Sequence, residues 1–232
     1  MKHKTFNIAI DGPAGAGKST IAKLAAAKLS FVYVDTGAMY RAIALYFLRS
    51  GVKPEAEEEI SRRIDGAGIT IRYEDGTQKV LLNGEDVSGQ IRTEEVGNMA
   101  SAVSVYPAVR AHLLKLQRSL AASADVIMDG RDIGTCILPD ADVKIFLTAS
   151  PAVRAMRRYR ELTEKGIVCN LQEIEQDIIE RDARDMNRET APLKQAEDAL
   201  LLDSSGMTVS QVVDAILKAA RDRRAETGED AG

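Results

Sequence analysis

Short apolar runs alternate with longer amphipathic segments along most of the chain. The runs cover residues 6–10, 31–35, 124–129, 143–147 and 199–203. Runs of this length with few polar residues are typical of strands buried on both faces. The apolar residues that follow the first run recur at helical spacing: Ile21, Leu24, Ala25 and Leu29. The pattern predicts an α/β fold built on five buried strands, and 232 residues suffice for one such domain with an insertion or for two small domains.

The alternation of strands and helices breaks over residues 54–92. A charged helix is predicted over 55–63, and residues 69–73 then alternate strictly between apolar and polar side chains. A turn leads into a second strand at 79–82. The segment is therefore predicted to be a small antiparallel appendage inserted between two βα units.

Capping residues mark where several helices begin. The predicted N-caps are Thr93, Ser150, Asn170 and Thr208, and a further helix begins near Pro107. After Asn170 and Thr208 the third residue is Glu or Gln, which completes a capping-box pattern. The tail from Arg221 is charged and contains glycine, so a frayed end is expected there.

Composition excludes several classes of partner. The formal net charge is −4, so no basic excess indicates a nucleic acid partner. The longest apolar run, residues 42–48, is too short to span a bilayer, and the N-terminus leads into a strand and not into a signal peptide. Cys136 and Cys169 lack metal-ligand spacing, which suits a reducing cytoplasm. With only His3 and His112 present, histidine-based acid–base catalysis is not expected.

A phosphate-loop pattern follows the first predicted strand and precedes a helix. It consists of Gly12, Pro13, Ala14, Gly15, Ala16, Gly17, Lys18 and Ser19, and Thr20 follows in the helix. Such a loop holds polyphosphate with backbone N–H groups and a helix N-terminus, while the lysine reaches the outer phosphates and the serine binds Mg²⁺. The alternative, an ordinary glycine-rich turn, is disfavoured because strand, loop, lysine and helix are in register. The sequence predicts a nucleoside triphosphate site.

Polar residues also follow the other predicted strands. The run ending at Asp129 places an acid where phosphate-loop proteins hold a carboxylate near Mg²⁺, and Arg131 and Asp132 come directly after it. Arg41 lies in the first turn of a helix beside a strand end, where a phosphate contact and a solvated surface position are both open. Arg110 lies beside an apolar helix face. The simpler interpretation is that the aliphatic part of its side chain packs against the surface of the protein.

Two arginine-rich helices are predicted on either side of Gly166. The first carries Arg154, Arg157, Arg158 and Arg160, and the second carries Arg181, Asp185 and Arg188 at i, i+4 and i+7. Solvated faces and an intrahelical salt-bridge ladder are the ordinary interpretations. Two such helices joined at a glycine can also form a lid that closes on phosphates.

Taken together, several motifs resemble those of the bacterial cytidylate kinases. The matching segments are residues 10–19, 35–41, 82–88, 91–92, 129–135 and 180–193. The resemblance implies a nucleoside monophosphate kinase fold, an α/β fold with a five-stranded parallel sheet, helices on both faces and a small antiparallel β insertion. It implies a single domain, residues 1–232, with these parts: a core (about 1–53, 93–150 and 190–220), a monophosphate-binding insertion (about 54–92), a lid (about 151–189) and a frayed tail (221–232).

The resemblance also implies a role for each matching side chain. Residues 12–20 and the lid residue Arg158 would bind ATP, with Ser19 and Asp129 as Mg²⁺ ligands. The acceptor or its phosphate would contact Thr36, Arg41, Arg131 and Arg188. Cytosine would be read by Ser101, Arg110 and Asp132, and the ribose by Arg181 and Asp185. The catalytic set would be Lys18, Arg131, Arg158 and Arg188.

The implied reaction is ATP-dependent phosphorylation of CMP, and of dCMP, by a cytoplasmic monomer with no nucleic acid or membrane partner. The nucleophile is a phosphate oxygen that is already anionic, so no catalytic base is needed and the scarcity of histidine is expected. The alternatives are a phosphate-loop kinase for another nucleotide or a small metabolite, and a nucleotide-dependent switch protein.

Overall fold

A parallel sheet forms the centre of the molecule. The computed structural model describes residues 5–228. The strands of this sheet are β1 (Asn7–Asp11), β2 (Val32–Asp35), β6 (Val126–Gly130), β7 (Val143–Thr148) and β8 (Leu200–Asp203). They pair in parallel in the order β2-β6-β1-β7-β8, so β1 is central. The predicted five-stranded parallel sheet is confirmed.

Helices cover both faces of this sheet. They are α1 (Lys18–Leu29), α2 (Thr36–Arg49), α3 (Glu57–Arg63), α4 (Glu94–Val103), α5 (Pro107–Ser123), α6 (Pro151–Glu164), α7 (Leu171–Asn187) and α8 (Val209–Thr227). Side chains of β1 alternate between the two faces: Ala9 joins the cluster that contains α2, α4 and α5, whereas Ile8 and Ile10 join the cluster that contains α1 and α8. The predicted arrangement of helices on both faces is therefore confirmed. None of the helices in residues 5–228 combines the length and apolarity needed to cross a membrane.

A second, antiparallel sheet lies in the inserted segment. Its strands are β3 (Ile69–Glu74), β4 (Thr77–Leu82) and β5 (Glu85–Asp86). The predicted appendage is confirmed, with a short third strand that the sequence pattern did not predict. Leu82 and Val87 of the insertion share one buried cluster with Phe47 of α2. Tyr73 Oη also donates to Tyr33 O at 3.0 Å, so the insertion is continuous with the core.

The capping residues begin their helices as the sequence predicts. The side-chain oxygens of Thr93, Ser150, Asn170 and Thr208 accept from backbone N–H groups of the helices that follow. At Thr208 the reciprocal bond of the capping box is also formed, because its N–H donates to Gln211 Oε1 at 2.8 Å. At Asn170 the side chain accepts from Gln172 N at 2.8 Å and not from Glu173 N, so the capping box predicted there is not formed. Local sequence therefore fixes these helix starts.

The final helix extends further than expected. α8 continues to Thr227 and ends at Gly228 with φ 75°, so fraying from Arg221 is not what the structure shows, and residues 229–232 of the predicted tail lie outside the described residues. Arg224 lies over the rings of Phe6 and Phe31 and pairs with Asp125 at 3.5 Å. These contacts anchor the last turns of α8 to the core.

Two smaller expectations are corrected by the structure. Leu24, predicted on the buried face of α1, is 43% exposed, and Ala22 is buried on that face instead. α2 begins at Thr36, one residue after β2 ends, so Arg41 lies in the second turn and not the first. In neither case is the helical phase shifted, because Ile21 and Ala25 remain buried on α1 and only the start of α2 differs from the expectation.

Candidate active site

The phosphate loop leaves β1 through a glycine that no other residue can replace without displacement. Gly12 has φ 150°, and a Cβ there would lie 1.9 Å from Leu147 O of the neighbouring β7. The loop then reaches α1 through Gly17, whose φ of 89° lies in the left-handed region that glycine tolerates. The backbone is thus forced to curl at the carboxyl edge of the sheet, where ligands bind in open α/β folds.

Lys18 is buried inside this loop. Its Nζ donates to Gly12 O and to Pro13 O, each at 2.7 Å. Burial and the nearby Arg131 guanidinium lower the pKa of Lys18 well below its usual value, although Asp129 and Asp11 act in the opposite direction. A lysine surrounded by loop carbonyls at this edge is placed to follow the outer phosphates of a bound nucleotide.

Ser19 and Asp129 meet as expected for a magnesium site. Ser19 Oγ donates to Asp129 Oδ2 at 2.9 Å, and Tyr33 Oη donates to Oδ1 at 2.9 Å. Burial, reinforced by Asp35, raises the pKa of Asp129 to about 6. Residues 5–228 contain no cluster of three or more His, Cys, Asp or Glu side chains that could hold a resident metal. One hydroxyl with one carboxylate fits Mg²⁺ that arrives with phosphate oxygens, because this ion keeps most of its ligands from water and substrate.

Arginines from separate elements gather next to this edge. Arg131 Nε donates to Asp185 Oδ2 at 2.9 Å, which joins the end of β6 to α7. The side chain of Arg41 on α2 makes no hydrogen bond within residues 5–228, and burial lowers the pKa of its guanidinium despite the nearby Asp35. Thr36 Oγ1 donates to Asp129 O at 2.7 Å and is itself almost completely buried.

Two further arginines carry buried nitrogens without a hydrogen-bond partner among the described residues, although the second of these nitrogens lies 3.8 Å from Asp132 Oδ1. They are Arg181 Nε and Arg188 Nη2. Burial and the neighbouring Arg131 lower the pKa of Arg181 to about 10. Burial opposes ionisation of Asp185, but Arg131, Arg188 and Arg181 outweigh it and the pKa of that carboxyl is lowered. Buried donors without a partner indicate that an anionic or polar ligand completes the site.

Arg188 reaches the site by a different route from the one that helical spacing predicted. α7 ends at Asn187, and Arg188 has an extended backbone with φ −67° and ψ 140°. The prediction that residues 181, 185 and 188 form one continuous helical stripe is therefore wrong at Arg188. The Arg188 side chain nevertheless reaches the site. Its Nε donates to Ala191 O at 2.6 Å, and its guanidinium lies 3.8 Å from Asp132 Oδ1.

Arg110 and Asp132 form a buried ion pair. Arg110 of α5 donates to the Asp132 carboxylate and also lies over the ring of Tyr40, 6.0 Å from its centroid. Burial raises the pKa of Asp132 while Arg110 and Arg188 act against that rise. The structure thus brings together two of the three residues assigned to the base. Ser101 lies partly buried on α4, and its described hydrogen bond is made by its backbone carbonyl, not its hydroxyl.

The two helices predicted to form a lid, α6 and α7, contact the phosphate loop through Arg154. This side chain is 3% exposed and pairs with Asp182 of α7, while its Nη1 donates to Ala14 O at 2.9 Å. Arg158, the arginine assigned to ATP, is 45% exposed and pairs with Glu161 of its own helix at 3.0 Å. The structure therefore joins Arg154, and not Arg158, to the loop.

Sequence reasoning missed three groups at this site. Tyr33 and the Arg154–Asp182 pair gave no local signal, because a strand tyrosine and a charged helix face are ordinary features. Asp11 did carry a signal, since it is an acid at the end of an otherwise apolar strand directly before Gly12. Its carboxylate accepts from Ile133 N and Gly134 N, each at 2.7 Å, and burial raises its pKa to about 6.

Comparisons with known proteins give matches over nearly the whole chain. A family model described as cytidylate kinase matches residues 8–222. A cytidylate kinase of Caldicellulosiruptor saccharolyticus is 51% identical over 215 residues, which is 93% of this chain and 95% of the relative. One from Lactobacillus johnsonii is 51% identical over 217 residues, covering 92% and 94%.

Solved structures with little sequence identity share the fold. A gluconokinase from Sinorhizobium meliloti 1021 superimposes with a TM-score of 0.50 at 12% identity, covering 98% of this chain and 99% of that chain. An uncharacterized protein from Eubacterium ventriosum gives 0.51 at 12% identity, covering 92% and 97%. At this level of identity the likeness concerns the fold alone.

Proposed function

The chain belongs to the cytidylate kinase family, and from that premise we propose that it transfers the γ-phosphoryl group of ATP to the phosphate of CMP at the carboxyl edge of its parallel sheet. The observation that carries the assignment is the pair of buried guanidinium nitrogens, on Arg181 and Arg188, that no described residue satisfies. They lie beside Arg131 and Asp132, on the acceptor side of the site. A nucleoside monophosphate would supply the missing oxygens.

The donor side is formed by residues 12–20. Backbone N–H groups of the loop and the start of α1 hold the phosphates, and Lys18 exchanges its loop carbonyls for outer phosphate oxygens. Ser19 and Asp129 would hold Mg²⁺, which supplies neutralising charge to the phosphates when bound. The short distance between Ser19 Oγ and Asp129 Oδ2, 2.9 Å, supports this pairing.

The acceptor side divides between base, sugar and phosphate. Asp132 accepts from the cytosine amino group, Arg110 donates to N3 or O2, and Ser101 is the third proposed contact to the base. Uracil presents the opposite pattern at position 4 and at N3, where it carries a carbonyl and an N–H. Asp185 and Arg181 bind the ribose. Arg41, Arg131 and Arg188 bind the acceptor phosphate, with Thr36 at the start of α2.

Catalysis then consists of bringing two anions into line. No general base is required, because the attacking phosphate oxygen is ionised near neutral pH. Lys18, Arg131 and Arg188 offset the charge of the transferring group, and Arg158 joins them when α6 and α7 close as the lid. Closure also excludes water that would hydrolyse ATP.

The same proposal covers dCMP as a second acceptor and a cytoplasmic monomer whose partners are nucleotides. The net charge of −4 argues against a nucleic acid partner, and the two cysteines without metal-ligand spacing suit a reducing cytoplasm. A kinase for a small metabolite is the alternative that the shared fold leaves open.

A coupled ATP-turnover assay with a panel of acceptors tests the proposal. CMP and dCMP should be phosphorylated, UMP much more slowly, and gluconate not at all. Replacement of the base-reading carboxylate in Asp132→Asn should weaken discrimination against UMP, because unpaired polar groups discriminate far more strongly than apolar contacts. Equal kcat/KM for CMP and UMP in the unaltered protein would refute the assignment of Asp132.

A further inference from the structure

A single π-helical turn follows β6 and begins next to the proposed base-reading residue. The turn covers Ile133–Ile137, and Leu138 N donates to Ile133 O at 2.7 Å across it. π-helical turns are rare and occur frequently at functional sites. How this turn is held therefore bears on how Asp132, the residue before it, is oriented.

Asp132 occupies the N-cap position of the turn without capping it. An aspartate at that position ordinarily folds its carboxylate back onto the first free backbone N–H groups. The Asp132 carboxylate instead faces the guanidinium of Arg110, and Arg188 approaches its Oδ1 at 3.8 Å. Another group must therefore satisfy the free N–H groups.

Asp11, the last residue of β1, supplies that cap from a distant part of the chain. Its Oδ1 accepts from Ile133 N and its Oδ2 from Gly134 N, each at 2.7 Å, with partners 122 and 123 positions away. A Cβ at Gly134 would lie 3.2 Å from Lys144 Cδ and 3.4 Å from Asp11 Oδ2, so the packing around this position is close. Asp11 is only 5% exposed, so both bonds are shielded from water.

The far end of the turn is fixed as well. Arg118 of α5 donates through Nε to Ile137 O at 3.0 Å and through Nη2 to Cys136 O at 3.1 Å. A carboxylate at the beginning and a guanidinium at the end thus hold the segment in one conformation. Of the two, only Asp11 occupies an N–H group, that of Gly134, which an N-cap side chain such as Asp132 ordinarily bonds.

We propose that Asp11 is a positioning residue for base recognition: by capping the turn from β1, it leaves the Asp132 carboxylate free to face Arg110 and the cytosine amino group. The inference rests on the proposed role of Asp132. Asp11 also directly precedes Gly12, so one residue joins the start of the phosphate loop to the acceptor pocket.

The variant Asp11→Asn tests the proposal with little change in shape. An amide keeps one acceptor oxygen but turns an NH₂ group toward the second N–H, so the turn loses part of its cap. The Asp132 carboxylate should then turn back to replace it. The ratio of kcat/KM for CMP to that for UMP should fall roughly tenfold or more, because a hydrogen bond to a charged group is lost from the base. The KM for ATP should change by a smaller factor than this ratio, because the Asp11 carboxylate hydrogen-bonds to the turn and acts on Lys18 only through its charge.

A matched control is available at the other end of β1, where a second aspartate from a distant part of the chain accepts from a backbone N–H. Asp125 Oδ1 accepts from Phe6 N at 2.8 Å, just before β1 begins and remote from the acceptor pocket. Asp125→Asn should leave the CMP-to-UMP ratio unchanged. If Asp11→Asn does not fold, as judged by circular dichroism, Asp11→Ser is measured in its place, because it replaces the two carboxylate oxygens with one shorter, uncharged hydroxyl. A folded Asp11 variant with the original ratio overturns the inference.

The double variant Asp11→Asn/Asp132→Ala separates this inference from the proposed function. Its loss of discrimination should equal that of Asp132→Ala alone, because both changes act through one carboxylate. Additive losses overturn the positioning role. If Asp132→Ala by itself leaves the ratio unchanged, the assignment of Asp132 fails, whatever Asp11 does.

Discussion

Ionisable side chains removed from water are concentrated at the carboxyl edge of the parallel sheet. Asp11, Lys18, Asp129, Asp132 and Asp185 are each 7% exposed or less. Burial of a charge costs several kcal/mol unless partners offset it, so such groups are poor choices for stability alone. Each has a partner within the site, and together they place opposite charges where two anionic substrates must meet.

At the residue scale, Lys18→Met should abolish most of the activity without unfolding the protein. The variant keeps the stem that packs in the loop and removes the cation that follows the transferring phosphoryl group. The turnover number should fall at least about a hundredfold, as for other lost transition-state donors. Steady-state kinetics and circular dichroism measure the two effects.

Lys28→Met is the control for that change. Lys28 lies on the same helix, is exposed, and pairs with Asp214 at 3.4 Å. It should retain full activity. A folded Lys18→Met protein with near-normal turnover would contradict the phosphate-loop mechanism.

The raised pKa of Asp11 predicts how stability depends on pH. Burial raises this pKa from 3.8 to about 6, with Asp132 reinforcing the rise, while the backbone N–H bonds and Lys18 oppose it. The folded state therefore binds this proton more tightly than the unfolded state. The resulting stability is fully present below about pH 4 and is lost as pH rises through about 6.

Comparison with Asp11→Asn isolates this effect, because an amide does not titrate and other groups cancel in the difference. Between about pH 4 and 7 the unaltered protein should lose stability relative to the variant by an amount on the order of 2–3 kcal/mol. Urea unfolding at several pH values provides the measurement. A constant difference across this range would show that Asp11 does not titrate there.

At the element scale, the Arg154–Asp182 pair ties the helices proposed as the lid to the phosphate loop. Asp182→Asn leaves a buried arginine without its counter-charge, and breaking such a pair costs about 3–5 kcal/mol. We expect the free energy of unfolding, measured with urea, to fall by an amount of that order. The KM for ATP should also rise, because Arg154 no longer holds Ala14 O.

Glu161→Gln is the matched comparison within the same pair of helices. Glu161 pairs with Arg158 and Lys165 at the surface, where such pairs contribute about 0–1 kcal/mol. Glu161→Gln should therefore lower the free energy of unfolding only slightly and leave the KM for ATP unchanged. Equal effects of the two variants would mean that the buried pair has no special role.

The elements differ in how far their sequence determines them. Helix starts such as Thr93 and Thr208 follow from local capping chemistry, and the sequence predicted them. The end of α7 at Asn187 was not predicted, because it depends on the inward turn of Arg188 and on contacts with distant Asp132. The π-helical turn after β6 depends on Asp11, more than a hundred residues earlier. Local patterns cannot contain that information.

At the scale of the whole molecule, the insertion should unfold together with the core. Leu82 of β4 and Phe47 of α2 belong to the same buried cluster. Leu82→Ala should therefore lower the stability of the whole protein by about 2–5 kcal/mol, within a single transition.

Unfolding followed by circular dichroism and by the fluorescence of a tryptophan introduced into the insertion, Arg72→Trp, provides the measurement, because the chain contains no other tryptophan. Tyr73 lies in the insertion and its hydroxyl bonds to Tyr33 O of the core. Two separate transitions, with only the first shifted by Leu82→Ala, would contradict the continuous core.

The arrangement of the site was predictable only in part. Apolar runs predicted the strands, and the strand ends predicted which edge binds ligands. Periodicity placed Arg110 at the surface as a simple stem, whereas the structure buries it against Asp132. Contacts between segments set such environments, and only the family resemblance indicated them beforehand.

The central place of β1 has a consequence for how the chain folds during synthesis. Ile8 pairs with Ile127 of β6 and with Val143 of β7, so the strand made first waits for partners made more than a hundred residues later. At about 5–20 residues per second, an apolar strand without neighbours persists for several seconds on the ribosome. During that interval it is a candidate for chaperone binding. The nucleotide site cannot assemble until residues beyond 148 have emerged.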